Sequence, residues 1–341
     1  MSRIAVIGAG AWGTALAIVA GRRGDHQIKL WALEREVCQA IAQSRTNSLF
    51  LPDCPLPSTV MATNNFQEAL AGAEIVVSVM PSHHCRRTFE HMAQWLLPNM
   101  LFLSATKGIE NDTLLRMTEV IDEVVARLCG WKPQIAAVSG PSFAKEVAEG
   151  NPTAVTVASS GASLAARVQK EFSDPSFRIY MNDDLVGVEL GGSLKNVIAI
   201  AAGICNGLGL GHNSVAALMT RGLAEITRLA VACGAQPQTM AGLAGLGDLV
   251  LTCTGGLSRN RSVGTALGQG HQLNEIIAGM HGSVAEGVLT TNAALGLARK
   301  HGVEMPIAEQ MYAILHDRKS PLDAIRELMT RPGKAEDRFQ A

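Results

Sequence analysis

Short apolar runs alternate with amphipathic stretches through the first half of the chain. RIAVIG (3–8), QIKLW (27–31), MLFLSAT (100–106), QIAAVSG (134–140) and TAVTVAS (153–159) are short strand-like runs, and EIVVSVM (74–80) is β-rich and nearly all apolar. The last is the pattern of a strand buried on two sides. Between them, TALAIVAGRR (14–23), HHCRRTFEHMAQWL (83–96) and TLLRMTEVIDEVVARL (113–128) repeat their apolar positions at helical spacing. Strand–helix alternation of this kind predicts an α/β fold: an N-terminal, Rossmann-like, doubly wound parallel sheet.

From about residue 184 the strand pattern stops. VIAIAAGICNGL, SVAALMTRGLAEITRLAVACG, AEGVLTTNAALGLARKHG and PIAEQMYAILHD all have helical spacing. The expected organisation is therefore 1–184 as a dinucleotide-binding domain, 185–330 as a C-terminal all-α domain, and 331–341, charged and rich in helix breakers, as a flexible tail.

Composition narrows the function. The 29 basic and 30 acidic residues give a formal net charge of −1, and aromatics make up 4%. Neither a basic field nor stacking platforms for nucleic acid are expected. The seven cysteines form no C-x-x-C pair, which reads as a reduced, cytoplasmic protein without disulfides or zinc knuckles. No H-E-x-x-H occurs and no metal site is expected. No membrane insertion is expected either. The apolar run at 4–21 is followed, not preceded, by Arg22 and Arg23, and that at 197–204 is short for a span.

The first chemistry-bearing motif is GAGAWGTALA. Gly8, Gly10 and Gly13 form G-x-G-x-x-G directly between the first strand and the first helix. Gly8 allows the tight turn, Gly10 the approach of a pyrophosphate, and Gly13 close helix–strand packing. Ala11 and Trp12 add backbone N–H groups at the positive end of the helix. At the end of the second strand, Glu34 is placed to accept from an adenosine ribose and Arg35 to meet a 2′-phosphate, so NAD and NADP both stay open.

Further polar residues fall after predicted strands: Lys107 in SATKGIE, and Gly140 and Ser142 in SGPSFAKE, where Ser142 is also a candidate helix N-cap. In the helical half, GLGDLVLTCTGGLSRNRS brings Asp248 into a glycine turn and Ser258, Arg259 and Asn260 into a second one, a composition suited to an anion. GGSLKNVIAIAAG holds one charge, Lys195. On a helix spanning 189–205 it shares a face with Gly191, Gly192, Ile198 and Ala199. Such small neighbours predict a hollow beside the ammonium, where a desolvated lysine can exchange a proton with a carbonyl substrate. Asp248 is the candidate carboxylate to orient it.

Taken together, GAGAWGTALA, SATKGIE, SGPSFAKEVAEG, GGSLKNVIAIAAG, TRGLAE, AGLGDLVLTCT, SRNR and VAEG resemble the bacterial type of NAD(P)-dependent glycerol-3-phosphate dehydrogenase over nearly the whole chain. The resemblance implies reversible interconversion of dihydroxyacetone phosphate and sn-glycerol 3-phosphate, feeding phospholipid synthesis. It implies Lys195 as proton acceptor. It also implies Lys107, Gly140, Ser142, Asp248, Ser258, Arg259 and Asn260 at the substrate, and Ala11, Trp12, Lys107, Ala144, Arg259, Val284 and Glu286 at the cofactor. Assembly stays open, a homodimer being the candidate. One departure stands out: after LWA, where the family often has a basic residue, this chain has Leu33 and Glu34.

Two alternatives share parts of the pattern. A β-hydroxy acid dehydrogenase has the same two-domain plan and a helix lysine. A non-catalytic dinucleotide sensor needs the glycine turn and has no use for Lys195.

Overall fold

The structure, a computed structural model, describes residues 1–280, 284–333 and 335–336. Ten strands are described: β1 (Arg3–Ile7), β2 (Gln27–Trp31), β3 (Thr46–Asn47), β4 (Leu51–Pro55), β5 (Val60–Thr63), β6 (Ile75–Ser78), β7 (Leu101–Ser104), β8 (Gln134–Ser139), β9 (Thr153–Ser159) and β10 (Phe177–Asn182). Eight of them form one sheet in the order β10-β9-β8-β7-β6-β1-β2-β5, and β3 pairs with β4. The chain runs outward from β1 through β2 to β5, then returns to the other side of β1 with β6. The reversal of strand order therefore lies between β1 and β6, the place where doubly wound sheets bind ligands.

The sheet is parallel except for one pair. β8 and β9 run antiparallel, with Val138 opposite Val157. This corrects the all-parallel expectation. TAVTVAS is buried on both faces, and such a run does not encode strand direction. The short strands β3, β4 and β5, and the edge strand β10, carry no clear apolar period and are not evident from the sequence.

The helices of the sheet-bearing half are α1 (Ala11–Arg22), α2 (Arg35–Ser44), α3 (Phe66–Leu70), α4 (Cys85–Met92), α5 (Met117–Cys129), α6 (Ala144–Glu149) and α7 (Ala162–Phe172). The other half holds α8 (Leu185–Gly207), α9 (His212–Ala232), α10 (Pro237–Met240), α11 (Asp248–Thr254), α12 (Arg259–Gly268), α13 (Leu273–Ala278), α14 (Glu286–His301), α15 (Pro306–His316) and α16 (Pro321–Met329). Two compact units result: Met1–Lys107 with Leu115–Leu185, and Gly108–Leu114 with the chain from Val186 onward. The expected boundary at 184 does not foresee the small exchange. Gly108–Leu114 joins the helical unit because Ile109 and Leu114 pack into its core and Ser193 Oγ donates to the Gly108 carbonyl at 3.2 Å. Of the tail expected over 331–341, residues 334 and 337–341 lie outside the described residues, and Arg331 pairs with Glu304 at 3.4 Å.

The helical unit is organised around α8. Every residue from Gly187 to Cys205 is buried. Its 23 residues are long and apolar enough to cross a membrane, contrary to the short span expected. Here they are the axis of a helical core. Neighbours reach that axis closely through glycines. A Cβ on Gly264 of α12 would stand 1.9 Å from the Ile200 carbonyl oxygen, and one on Gly287 of α14 would stand 2.5 Å from that of Asn196. Backbone-to-backbone packing of this kind leaves α8 little room to shift.

Candidate functional site

In the sheet-bearing unit, the turn after β1 is shaped by its glycines. Gly8 has φ +122°, and a Cβ there would meet the Val79 carbonyl oxygen at 2.1 Å. Only glycine fits that conformation at that contact. A Cβ on Gly13 would lie 1.9 Å from the Gly8 carbonyl oxygen, whereas one on Gly10 meets nothing within 4 Å. So Gly8 and Gly13 close the turn and Gly10 opens it outward. Gly10 is the N-cap of α1, with no side chain capping the helix and no acidic residue in its first turn. The first-turn N–H groups of Ala11 and Trp12 and the positive helix end are left for an anion. Trp12 also carries a buried indole N–H without a partner. A dinucleotide pyrophosphate fits this cradle.

At the end of β2, Leu33 is 71% exposed. Glu34 is the N-cap of α2 without a capping bond from its side chain. Its carboxylate therefore stands at the carboxyl end of the strand next to β1. After β7 and β8, three expected residues converge. The Gly140 carbonyl accepts from Lys107 Nζ at 3.2 Å and from Ser142 Oγ at 2.9 Å. Ser142 is not an N-cap: α6 begins at Ala144 and its N-cap is Phe143. The hydroxyl bonds backward instead, to the carbonyl two residues earlier.

The helical unit holds the titratable centre. Lys195 Nζ donates to Asp248 Oδ1 and to Thr252 Oγ1, both at 2.5 Å. Lys195 is 5% exposed and Asp248 1%. Thr252 in turn donates its one proton to the Asp248 carbonyl at 2.6 Å, so its lone pairs face the ammonium. A charge buried to this degree is stable only when paired and hydrogen-bonded in this way. The hollow expected beside Lys195 is not there at Gly191: a Cβ on Gly191 would meet the Ala244 carbonyl oxygen at 2.7 Å. The missing side chain lets a π-helical turn, Leu243–Gly247, press against α8. Asp248 is the next residue, and this close approach delivers it to Lys195.

One residue along, Asn196 Oδ1 accepts from Asn260 Nδ2 at 3.0 Å, and Asn260 Oδ1 accepts from the Gly287 N–H at 2.9 Å. The backbone N–H fixes the orientation of both amides and leaves Asn196 Nδ2 as the donor end of the pair. Both ends of the Asn260 amide thus serve a bridge from α8 to α14. Ser258 caps α12 by accepting from the Arg261 N–H at 3.2 Å. Arg259 follows as the first residue of α12, its side chain reaching solvent. Desolvation by the surrounding chain lowers its pKa, and the charge of Glu286, first residue of α14, acts in the opposite sense. Val284 is half-buried just ahead of that helix.

Thr252 and Asn196 escape the sequence reading. The signal for Thr252 is its spacing: four residues after Asp248, it lies on the same helical face. Among the described residues, no group of three or more His, Cys, Asp or Glu side chains could hold a metal ion.

Residues 3–165 match the family model for the NAD-dependent glycerol-3-phosphate dehydrogenase N-terminus, and residues 184–326 match that for its C-terminus. A glycerol-3-phosphate dehydrogenase [NAD(P)+] of Koribacter versatilis is 69% identical over 336 residues, covering 98% of this chain and 99% of the relative. That of Acidobacterium capsulatum is 56% identical, covering 98% and 100%. Among solved structures, glycerol-3-phosphate dehydrogenase from Coxiella burnetii superposes with a TM-score of 0.91 at 40% identity, covering 97% of this chain and 99% of that one.

Proposed function

The chain belongs to the NAD-dependent glycerol-3-phosphate dehydrogenase family, and from that premise we infer that it reduces dihydroxyacetone phosphate reversibly to sn-glycerol 3-phosphate with NADH or NADPH. The observation that carries the chemical assignment is the buried ammonium of Lys195, held by Asp248 and Thr252.

The nicotinamide supplies the hydride when bound; the protein's work is to place groups and move a proton. Gly8, Gly10, Gly13 and the N–H groups of Ala11 and Trp12 hold the pyrophosphate, and Glu34 meets the adenosine ribose. Lys107, Gly140, Ser142, Ala144, Val284 and Glu286 complete the ligand contacts in this reading. As the keto oxygen gains negative charge, Lys195 first stabilises it as an ammonium and then gives up a proton to it; in the oxidative direction Lys195 takes the proton back. Asp248 and Thr252 keep Nζ fixed through that exchange. Asn196 takes part through its bond to Asn260, which ties α8 to the start of α12. Arg259 offers a planar fork to the substrate phosphate. Ser258 and Asn260 act by shaping the turn that carries it.

In this reading the enzyme is cytoplasmic and supplies glycerol phosphate for phospholipid synthesis, as its family membership implies. A homodimer rests on the resemblance alone. The test is reduced-nicotinamide consumption with dihydroxyacetone phosphate, using NADH and NADPH in parallel and a β-semialdehyde acid as the competing substrate. Turnover confined to the phosphorylated ketose is expected. Turnover confined to the acid would overturn the assignment.

A further inference from the structure

Asn47, in the two-residue strand β3, is fully buried. Its Nδ2 donates to the Ala9 carbonyl at 2.7 Å and to Thr14 Oγ1 at 2.8 Å. The Thr14 hydroxyl donates to the same Ala9 carbonyl at 3.3 Å, closing a triangle. Asn47 Oδ1 accepts from the Phe50 N–H at 3.2 Å. That last bond fixes the amide orientation, because an N–H can be met only by the oxygen. Every strong polar atom of the side chain is therefore used, and two of its three bonds go to the glycine turn and the first helix.

The direction of the Ala9 carbonyl matters for its neighbour. In a trans peptide the C=O and the following N–H point to opposite sides of one plane. A carbonyl held inward by Asn47 and Thr14 turns the Gly10 N–H the opposite way, and a Cβ on the same residue would meet nothing within 4 Å. We propose that Asn47 is a positioning residue for dinucleotide binding, which clamps the Ala9–Gly10 peptide so that the Gly10 N–H is presented to the pyrophosphate. The proposal rests on the reading of Gly8–Gly13 as the dinucleotide site. It also gives the excursion between α2 and β5 a purpose: this segment carries an amide to the back of the turn. Arg45 staples the base of that excursion through the carbonyls of Leu56 and Pro57, away from the bonds that Asn47 makes to Ala9 and Thr14.

The test compares the full chain with its Asn47→Ala, Asn47→Asp and Arg45→Ala variants. Dissociation constants are measured for NADH, NADPH and ADP-ribose, alongside melting temperature, kcat and the KM for dihydroxyacetone phosphate. Losing aligned hydrogen bonds to the turn raises the dissociation constants for NADH and ADP-ribose about tenfold in both Asn47 variants. At saturating nucleotide, kcat and the ketose KM stay within about twofold of wild type. Arg45→Ala lowers the melting temperature and leaves nucleotide affinity within about twofold. Asn47→Asp keeps the size and the acceptor for Phe50, so it decides the matter should the alanine variant fail to fold. Asn47 variants that bind ADP-ribose as wild type does, or an Arg45 variant that loses as much affinity as they do, overturn the proposal. A wild-type chain that binds no NADH or NADPH removes the dinucleotide reading and this one with it; normal wild-type binding with unaltered variants removes only the role of Asn47.

Discussion

Lys195 and Asp248 stand 53 residues apart in the chain and 2.5 Å apart in the folded unit. α8 brings one and the start of α11 brings the other. Thr252 completes the cage from the next turn of α11. The cage predicts distinct effects for its two supporting members. Thr252→Val removes one acceptor and keeps the charge pair, so kcat should fall roughly tenfold, the worth of one charge-assisted hydrogen bond. Asp248→Asn leaves a buried ammonium without its counter-charge, at a cost of about 3–5 kcal/mol to the helical unit. Its pH profile for ketose reduction should shift to lower pH. Steady-state rates and denaturant titrations of both variants check this; identical pH profiles for Asp248→Asn and wild type would separate Asp248 from Lys195 chemistry.

Two glycine-to-alanine changes should have opposite outcomes. At Gly191 a Cβ collides with the Ala244 backbone. Gly191→Ala should push the π-helical turn away from α8, destabilise the fold by about 1–3 kcal/mol and lower kcat. At Gly10 a Cβ meets no protein atom. Gly10→Ala should leave stability within about 0.5 kcal/mol and raise the nucleotide dissociation constant, since the methyl takes space used by phosphate. Paired melting and nucleotide-binding measurements distinguish the two.

Glu34 should discriminate between cofactors. A carboxylate at the end of β2 accepts from a ribose 2′-OH and repels a 2′-phosphate. The chain is therefore expected to favour NADH in kcat/KM, and Glu34→Ser to narrow the gap by improving NADPH. A ratio unmoved by the substitution would place the adenosine ribose elsewhere.

Glu225 sets a pH dependence of stability apart from the chemistry. Its buried carboxylate accepts from the N–H groups of Ile307 and Ala308 at the start of α15. Burial still pushes its pKa up to about 7, against those bonds and the charge of nearby Arg228; Glu309 adds to the rise. The folded protein thus holds a proton that the unfolded chain gives up above its ordinary value of 4.5. Stability from this group is present at low pH and is lost as pH rises from about 4.5 to about 7, by up to about 1.4 kcal/mol per unit. Glu225→Gln should flatten that slope in denaturant titrations between pH 5 and 7.5. An equal slope in wild type and variant would contradict the assignment.

Much of the fold and of the site is legible in the sequence. The core strands could be read because each is a short apolar run, and α8 because its charges are so few. The glycine turn could be read because its motif sits between a strand and a helix. What escaped has physical causes. The β8–β9 pair is antiparallel, and side chains buried on both faces carry no direction. β3 is two residues long, too short for any period, so Asn47 had no signal at all. The hollow expected beside Lys195 failed because a glycine's missing side chain can be filled by a neighbour's backbone, as Ala244 fills that of Gly191. Ser142 is not a cap because α6 begins two residues later, at Ala144, which puts Phe143 at the N-cap position.

The most direct test of the account is the turnover number of Lys195→Ala for dihydroxyacetone phosphate reduction, measured together with its affinity for NADH. Loss of the proton donor and its charge should cut kcat by roughly 10²–10⁴ while the nucleotide binds as in wild type. A variant that binds NADH and turns over at the wild-type rate would contradict the assignment of Lys195 as the group that handles the proton.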